Sequence, residues 1–364
     1  MEQIYDLSKY PYTLDDLLIE AVRNKASDLH FLAKLPPHLR INGDLIPMDC
    51  PVLEVDDVKD LVYSVLNEKQ IAELEENWEL DFSYSIKDTA RFRGNIMVQR
   101  GTYSAVFRVV PFTVPKLEAL NAPKDLERLC TLNRGLILVT GPTGSGKSTT
   151  VAAMVDRINK TKHYNIITIE DPIEFLHNHQ KSIICQREIG SDTHSFEKSL
   201  RQALRHDPDV IMVGEMRDYE SISIALTAAE TGHLVISTLH TQTAPQTISR
   251  IVDSYPSEKR DEVRKQLSST LRAVVSQQLL PATDGGRVLA AEYMIDSPAV
   301  CAMIREGKEH QLYSVLQTSS ESGMITMDQC LAEFYRQGRI TYETLMHFCI
   351  DAKEVTRLIG KQYF

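Results

Sequence analysis

The sequence predicts two domains: a small α+β domain at the amino terminus, then a larger α/β domain on a mainly parallel sheet with a helical carboxy-terminal part. Hydrophobic strands alternate with amphipathic helices from Gly135 to Leu239, the pattern of βα units whose sheet is covered on both faces. Pro111, Pro115 and Pro123 punctuate the stretch before them, stiffening the backbone and disfavouring both helix and sheet. The length, 364 residues, suits two domains at roughly 150 residues each. The boundaries read as residues 1–112, a linker over 113–124, and residues 125–364.

Each element has its own signal. Thr13 and Asp16 form a capping box, followed by Leu14, Leu17, Leu18, Ala21 and Val22 at helical spacing. The period then shortens, predicting strands at Leu29–Leu32 and Leu39–Asn42, a helix at Val55–Leu74, and strands at Phe82–Ile86, Arg91–Arg100 and Tyr103–Val110. Gly94 and the turn around Gly101 suit a hairpin. Past the linker come strand Gly135–Thr140, helix Ser148–Lys160, strand Ile166–Ile169, helix Phe196–His206, strand Val210–Val213, helix Ile222–Glu230 and strand Leu234–Leu239. Beyond Pro245 the pattern is mostly helical, with one strand at Val288–Ile295.

Composition excludes several classes of function. With 40 Lys plus Arg against 50 Asp plus Glu the formal charge is −10, so no global field draws the chain to nucleic acid or anionic lipid. Hydrophobic residues at 43% and charged residues at 25% are those of a globular protein. No apolar run approaches the roughly 20 residues of a membrane span, and the start, MEQIYDLSKYPYTLDD, has neither a basic region nor an apolar core. The expectation is a cytoplasmic chain with no secretory leader and no direct membrane insertion. The six cysteines lie at least 19 residues apart, too scattered for a zinc or redox pair.

The strongest chemical signal is GPTGSGKST: Gly141, Pro142, Thr143, Gly144, Ser145, Gly146, Lys147, Ser148 and Thr149. It follows the apolar strand GLILVT and opens a helix. In that setting its backbone amides can cradle phosphates, Lys147 can reach the β and γ oxygens and Ser148 can hold Mg²⁺. Phosphoryl transfer also needs carboxylates to orient the metal and position water. Glu170, Asp171 and Glu174 follow one predicted strand and Glu215 another, on the side of a parallel sheet where ligands bind. His240 ends a third strand and His233 precedes it; a histidine there can donate to a γ-phosphate. In the first domain Arg91 and Arg93 alternate with apolar residues along a strand, and Arg108 sits on the next. Such arginines either form an exposed polar face or neutralise a transferring phosphoryl group in a neighbouring subunit.

Taken together, GPTGSGKST, ITIEDPIEF, DPDVIMVGEMRD and TGHLVISTLHT resemble the Walker A, Asp, Walker B and His boxes of secretion-type hexameric ATPases. More narrowly, SDLHF, PPHLRINGDL, RFRGN and SQQLLP resemble the type IV pilus retraction motors of the PilT and PilU family. The resemblance covers nearly the whole chain. It implies a PAS-like amino-terminal domain, a RecA-like P-loop ATPase domain and a homohexamer binding ATP and Mg²⁺ between one subunit's motor core and the next subunit's amino-terminal domain. It implies Ser148 and Glu215 near the metal, Glu174 activating water, His233 and His240 as the His box, and Arg93 and Arg108 reaching the neighbouring nucleotide; Glu174 and Glu215 can exchange roles.

The resemblance further implies a chain peripheral at the inner membrane, acting on a pilus platform protein, with a companion pilus ATPase as a further partner. One stretch departs from the family: where retraction motors carry AIRNLI, this chain reads AVCAMIREGK over residues 299–308, with Cys301 and Ala302 at the central pair. That departure keeps open a nucleotide-gated accessory module beside the pilus-retraction motor. A pilus extension or type II secretion ATPase is the other alternative. The missing four-cysteine insertion and long extra amino-terminal region favour retraction over these, and the charge argues against a DNA translocator.

Overall fold

The computed structural model describes residues 10–87, 89–110, 113–120 and 125–360. Residues 111, 112 and 121–124 of the proline-marked stretch lie outside them. The chain divides into two compact units, Met1–Thr113 with Glu174–Leu176, and Val114–Ile173 with His177–Phe364.

In the first unit α1 (Leu14–Arg23) starts at the Thr13–Asp16 capping box and buries Leu14, Leu17, Leu18 and Ala21. Strands β1 (Asp28–Leu32), β2 (His38–Ile41), β3 (Asp44–Pro47), β4 (Glu79–Ile86), β5 (Ala90–Gln99) and β6 (Thr102–Val110) form a sheet in the order β3-β2-β1-β6-β5-β4. Every neighbouring pair in it is antiparallel. The expected long helix is two, α2 (Val55–Tyr63) and α3 (Glu68–Asn77), because Asn67 caps the second through a reciprocal bond with Gln70. Gly94 lies within β5, where an added Cβ would stand 2.5 Å from the Phe82 ring. The turn is at Arg100 and Gly101, between β5 and β6.

The second unit opens with α4 (Asp125–Leu129), followed by β7 (Gly135–Thr140), α5 (Lys147–Thr161), β8 (Asn165–Glu170), β9 (Ile183–Glu188), α6 (Phe196–Ala203), β10 (Val210–Val213), α7 (Tyr219–Glu230) and β11 (Leu234–Leu239). Then come α8 (Ala244–Asp253), α9 (Arg260–Thr270), β12 (Leu271–Pro281), β13 (Arg287–Ile295), α10 (Pro298–Arg305), α11 (Leu312–Thr318), α12 (Met327–Arg336), α13 (Tyr342–Phe348) and α14 (Ala352–Leu358). The sheet runs β13-β12-β7-β11-β10-β8-β9, parallel except for the β12–β13 pair.

Strand alternation sorts the core into two layers. Ile137, Val139, Val210, Met212 and Ile236 pack with Val151, Met154, Val155 and Ile158 of α5, while Leu136, Leu138, Ile211, Val213 and Val235 pack with α6 to α10. Helices α12 to α14 bury their own cluster against Leu280, Val288 and Ala290 of the β12–β13 pair. β9 and β12 are strands that periodicity did not predict. β9, at the sheet edge, has only two buried positions, Ile184 and Glu188, whereas β12 sits inside the sheet with Ser276 and Gln277 fully buried.

Candidate nucleotide site at the carboxyl rim of the parallel sheet

β7 leads straight into the loop Gly141–Gly146, and α5 begins at Lys147 with Gly146 as its N-cap. The loop requires glycine at its first position: Gly141 has φ +139°, and a Cβ there would lie 2.2 Å from the Gln277 carbonyl oxygen. Gly146 has φ +88°, which turns the chain into the helix. Backbone amides of the first helical turn and the positive end of the helix dipole therefore meet at one point, an anion site.

The Lys147 ammonium is folded over this loop. Nζ donates to the Gly141 oxygen at 2.8 Å and the Pro142 oxygen at 2.9 Å, and lies 3.5 Å from His240 Nδ1. Burial pulls its pKa below the ordinary lysine value, and the nearby Glu215 charge opposes that pull.

The neighbouring strand ends bring up the other groups. Gly214 and Glu215 follow β10; the Gly214 amide donates to the Ile169 oxygen at 2.8 Å, and its carbonyl accepts from Thr238 Oγ1. Glu215 Oε1 stands 3.2 Å from His240 Nε2. Its Oε2 accepts from Arg217 Nε at 2.7 Å, while Arg217 Nη1 lies 3.5 Å from Asp171 Oδ2. The hydrogen bond it donates to Glu215 raises the Arg217 pKa. Glu170, at the end of β8, is buried and accepts from Thr168 Oγ1 at 2.6 Å and Gln186 Nε2 at 3.1 Å.

Lys147, Glu215 and His240 are thus brought together. His233 is not: it precedes β11, with Nδ1 3.0 Å from the Ala228 oxygen and its carbonyl accepting from the Gly135 amide at the start of β7. It stands at the opposite rim, roughly 20 Å along the strand from His240 at about 3.3 Å per residue. Glu174 is exposed on the loop after β8 and groups with the first unit; the Ile173 amide beside it donates to the buried Glu188 at 3.0 Å.

Arg93 and Arg108 are direct cross-strand partners on β5 and β6, and Arg108 in turn faces Asp28 on β1. Arg108 Nε donates to Asp28 Oδ1 at 2.8 Å, and Arg93 Nη2 lies 3.8 Å from Asp81 Oδ1. Burial works against charge on Asp28, but hydrogen bonds from Ser27 and Arg108 outweigh it and hold the carboxyl below its ordinary range.

Two site residues escaped sequence reading. Gln277 is fully buried and donates from Nε2 to the Ser145 oxygen at 2.9 Å, clamping the phosphate loop from β12. Arg217, two residues beyond Glu215, ties it towards Asp171. The only signal for Gln277 was its place in SQQLLP.

The type II/IV secretion system protein family matches residues 5–354. The chain belongs to that family. Like its secretion-ATPase relatives it binds nucleotide and is an ATPase. It is 49% identical over 330 residues to the type IV pilus retraction ATPase PilT of Pseudomonas aeruginosa, covering 91% of this chain and 96% of PilT. It is 50% identical over 313 residues to a twitching motility protein of Neisseria gonorrhoeae, covering 86% of this chain and 84% of that one. A crystal structure of the pilus retraction motor PilT with bound ADP superposes with TM-score 0.89 at 49% identity, covering 95% of this chain and 99% of the other. The α/β fold, an amino-terminal domain followed by a RecA-like ATPase domain, is that of these secretion ATPases. Among the described residues no helix is long and apolar enough to cross a membrane.

Proposed function

We propose that this chain is an ATP-hydrolysing motor that powers type IV pilus retraction, and hence twitching motility, as a homohexamer. The observation that carries this reading is the convergence of the Gly141–Thr149 loop, the buried Lys147 and the Glu215–His240 pair at one rim of the parallel sheet. ATP lies with its phosphates on the loop amides, and Lys147 exchanges its two carbonyl partners for phosphate oxygens. The Ser148 hydroxyl and the Glu215 carboxylate are hard oxygen donors suited to Mg²⁺, which neutralises phosphate charge when bound.

Glu174 takes the proton of the attacking water, Glu215 orients the site, and His240, held by Glu215, contacts the γ-phosphate. Arg93 and Arg108 reach the nucleotide of a neighbouring subunit, where Asp28 keeps Arg108 extended across the sheet. His233, at the other rim, supports the turn before β11. Residues 1–112 form the PAS-like domain, 113–124 the linker and 125–364 the motor. Nucleotide contacts made and lost drive rigid-body rotation of one domain against the other. The rotation acts on a pilus platform protein of the inner membrane, beside which the chain works from the cytoplasm.

Phosphate release by the purified chain tests the reading. Turnover in the wild type that is absent in Lys147→Ala supports it; no turnover in the wild type, or equal turnover in both, refutes it. The half-buried Cys301 and Ala302 on α10 favour a second reading, an accessory module for a companion pilus ATPase. In that case turnover by the chain alone stays at background and rises only with the companion.

A further inference from the structure

Glu292 on β13 is fully buried and belongs to none of the groups assigned to nucleotide chemistry. Two helices aim their first amides at it. Ala244 N, opening α8, donates to Oε1 at 2.6 Å, and Met327 N, opening α12, donates to Oε2 at 3.4 Å. One carboxylate therefore satisfies orphan donors of both helices and meets the positive ends of both dipoles.

The two helices lead to different parts of the motor. α8 follows directly on His240–Thr243, and that connection is tied down: the Thr241 and Thr247 hydroxyls lie 2.7 Å apart, and Thr247 Oγ1 donates to the Thr243 oxygen at 2.8 Å. α12 opens the carboxy-terminal helices. The β13 register sets Glu292 opposite Ser276, whose hydroxyl accepts from Thr140 Oγ1 at 2.8 Å, and Ser276 adjoins the loop clamp Gln277.

We propose that Glu292 is a positioning residue coupling the His240 connection to the carboxy-terminal helices, so that nucleotide at the phosphate loop is felt at α12. This rests on the nucleotide reading above. The physical reason is economy of contact: both helix starts hang on one rigidly packed side chain, and a displacement of either changes the geometry available to the other. Burial raises the Glu292 pKa to about 7, against the pull of the Ala244 and Met327 amides, and Asp328 adds to the rise. Asp328 on α12 and Tyr313 on α11 are the titratable groups that face it. Protonation turns one acceptor oxygen into a donor, so the joint holds both amides only when ionised. Gln imitates the protonated form at constant shape.

The test is hydrogen–deuterium exchange on the full chain at pH 8, with and without a slowly hydrolysed ATP analogue and Mg²⁺, in the wild type and Glu292→Gln. Protection of the 141–149 peptide should appear equally in both. Exchange over residues 325–336 should change about twofold or more on nucleotide binding in the wild type and not in the variant. An equal response at 325–336 in both proteins, or none in the wild type, overturns the coupling. Absence of protection at 141–149 in the wild type instead overturns the nucleotide reading. A role confined to stability changes the melting temperature of the variant but leaves the nucleotide response at 325–336 intact, and so also counts against the proposal.

Discussion

At Lys147 burial and charge oppose each other. The ammonium is stripped of water yet has Glu215 nearby, so phosphate oxygens offer it what the loop carbonyls supply less well. Lys147→Ala is expected to lower turnover by at least about 100-fold, the scale on which losing one charge-stabilising donor acts, as read by steady-state phosphate release. Glu174→Gln should keep nucleotide affinity, measured with a fluorescent ATP analogue, while slowing hydrolysis about 10²- to 10⁴-fold, the contribution of a general base. Glu292 carries a pH signature. Its pKa is about 7 in the folded chain against roughly 4.3 unfolded, so the folded state holds the proton more tightly. The resulting destabilisation is nil below about pH 4, grows as pH rises to about 7 and is constant above. The melting temperature of Glu292→Gln minus that of the wild type should therefore climb across that window and then level off; a flat difference would mean Glu292 does not titrate there.

The elements that hold the site differ in how legible they are in the sequence. The strand, loop and helix of Gly135–Thr161 could be read from apolar pattern and glycine spacing, because β7 is buried on both faces and α5 has one apolar side. β12 could not: its buried Ser276 and Gln277 look polar until Thr140 and Ser145 are seen to bond them. Gln277→Ala should loosen the phosphate loop and raise the KM for ATP about tenfold, on the scale of one buried hydrogen bond lost, with kcat changed far less. An unchanged KM would remove Gln277 from the site. The single helix expected over residues 55–74 failed for a related reason, since the capping bonds of Asn67 outrank the apolar rhythm that runs through it.

At the scale of the whole molecule, the proposed function gives the arginine face of the first unit its role in a ring. Arg93, Arg108 and Asp28 share one face of the antiparallel sheet, and an arginine delivered from a neighbour acts on the charge that develops during phosphoryl transfer. Arg108→Ala should leave ATP binding within about twofold and lower turnover by about 10³-fold, the low end of arginine-finger effects. Turnover per chain in the wild type should rise with chain concentration, in step with the assembled fraction seen by light scattering. Turnover independent of concentration down to the monomer would argue against a site shared between subunits.

Composition, periodicity and four ordered motifs were enough to point to the fold class, the strand, loop and helix of Gly135–Thr161, and the family. Each is written in short-range spacing, and hydrophobic burial or glycine geometry leaves little else for such spacing to do. Only the tertiary structure decided which strand ends share a rim. It set His240 beside Glu215 and Lys147 and His233 at the far edge, put Gln277 against the loop, and hung two helices on Glu292. Strand order and register bring residues far apart in the chain within hydrogen-bond distance, and neither is encoded in any local window of sequence.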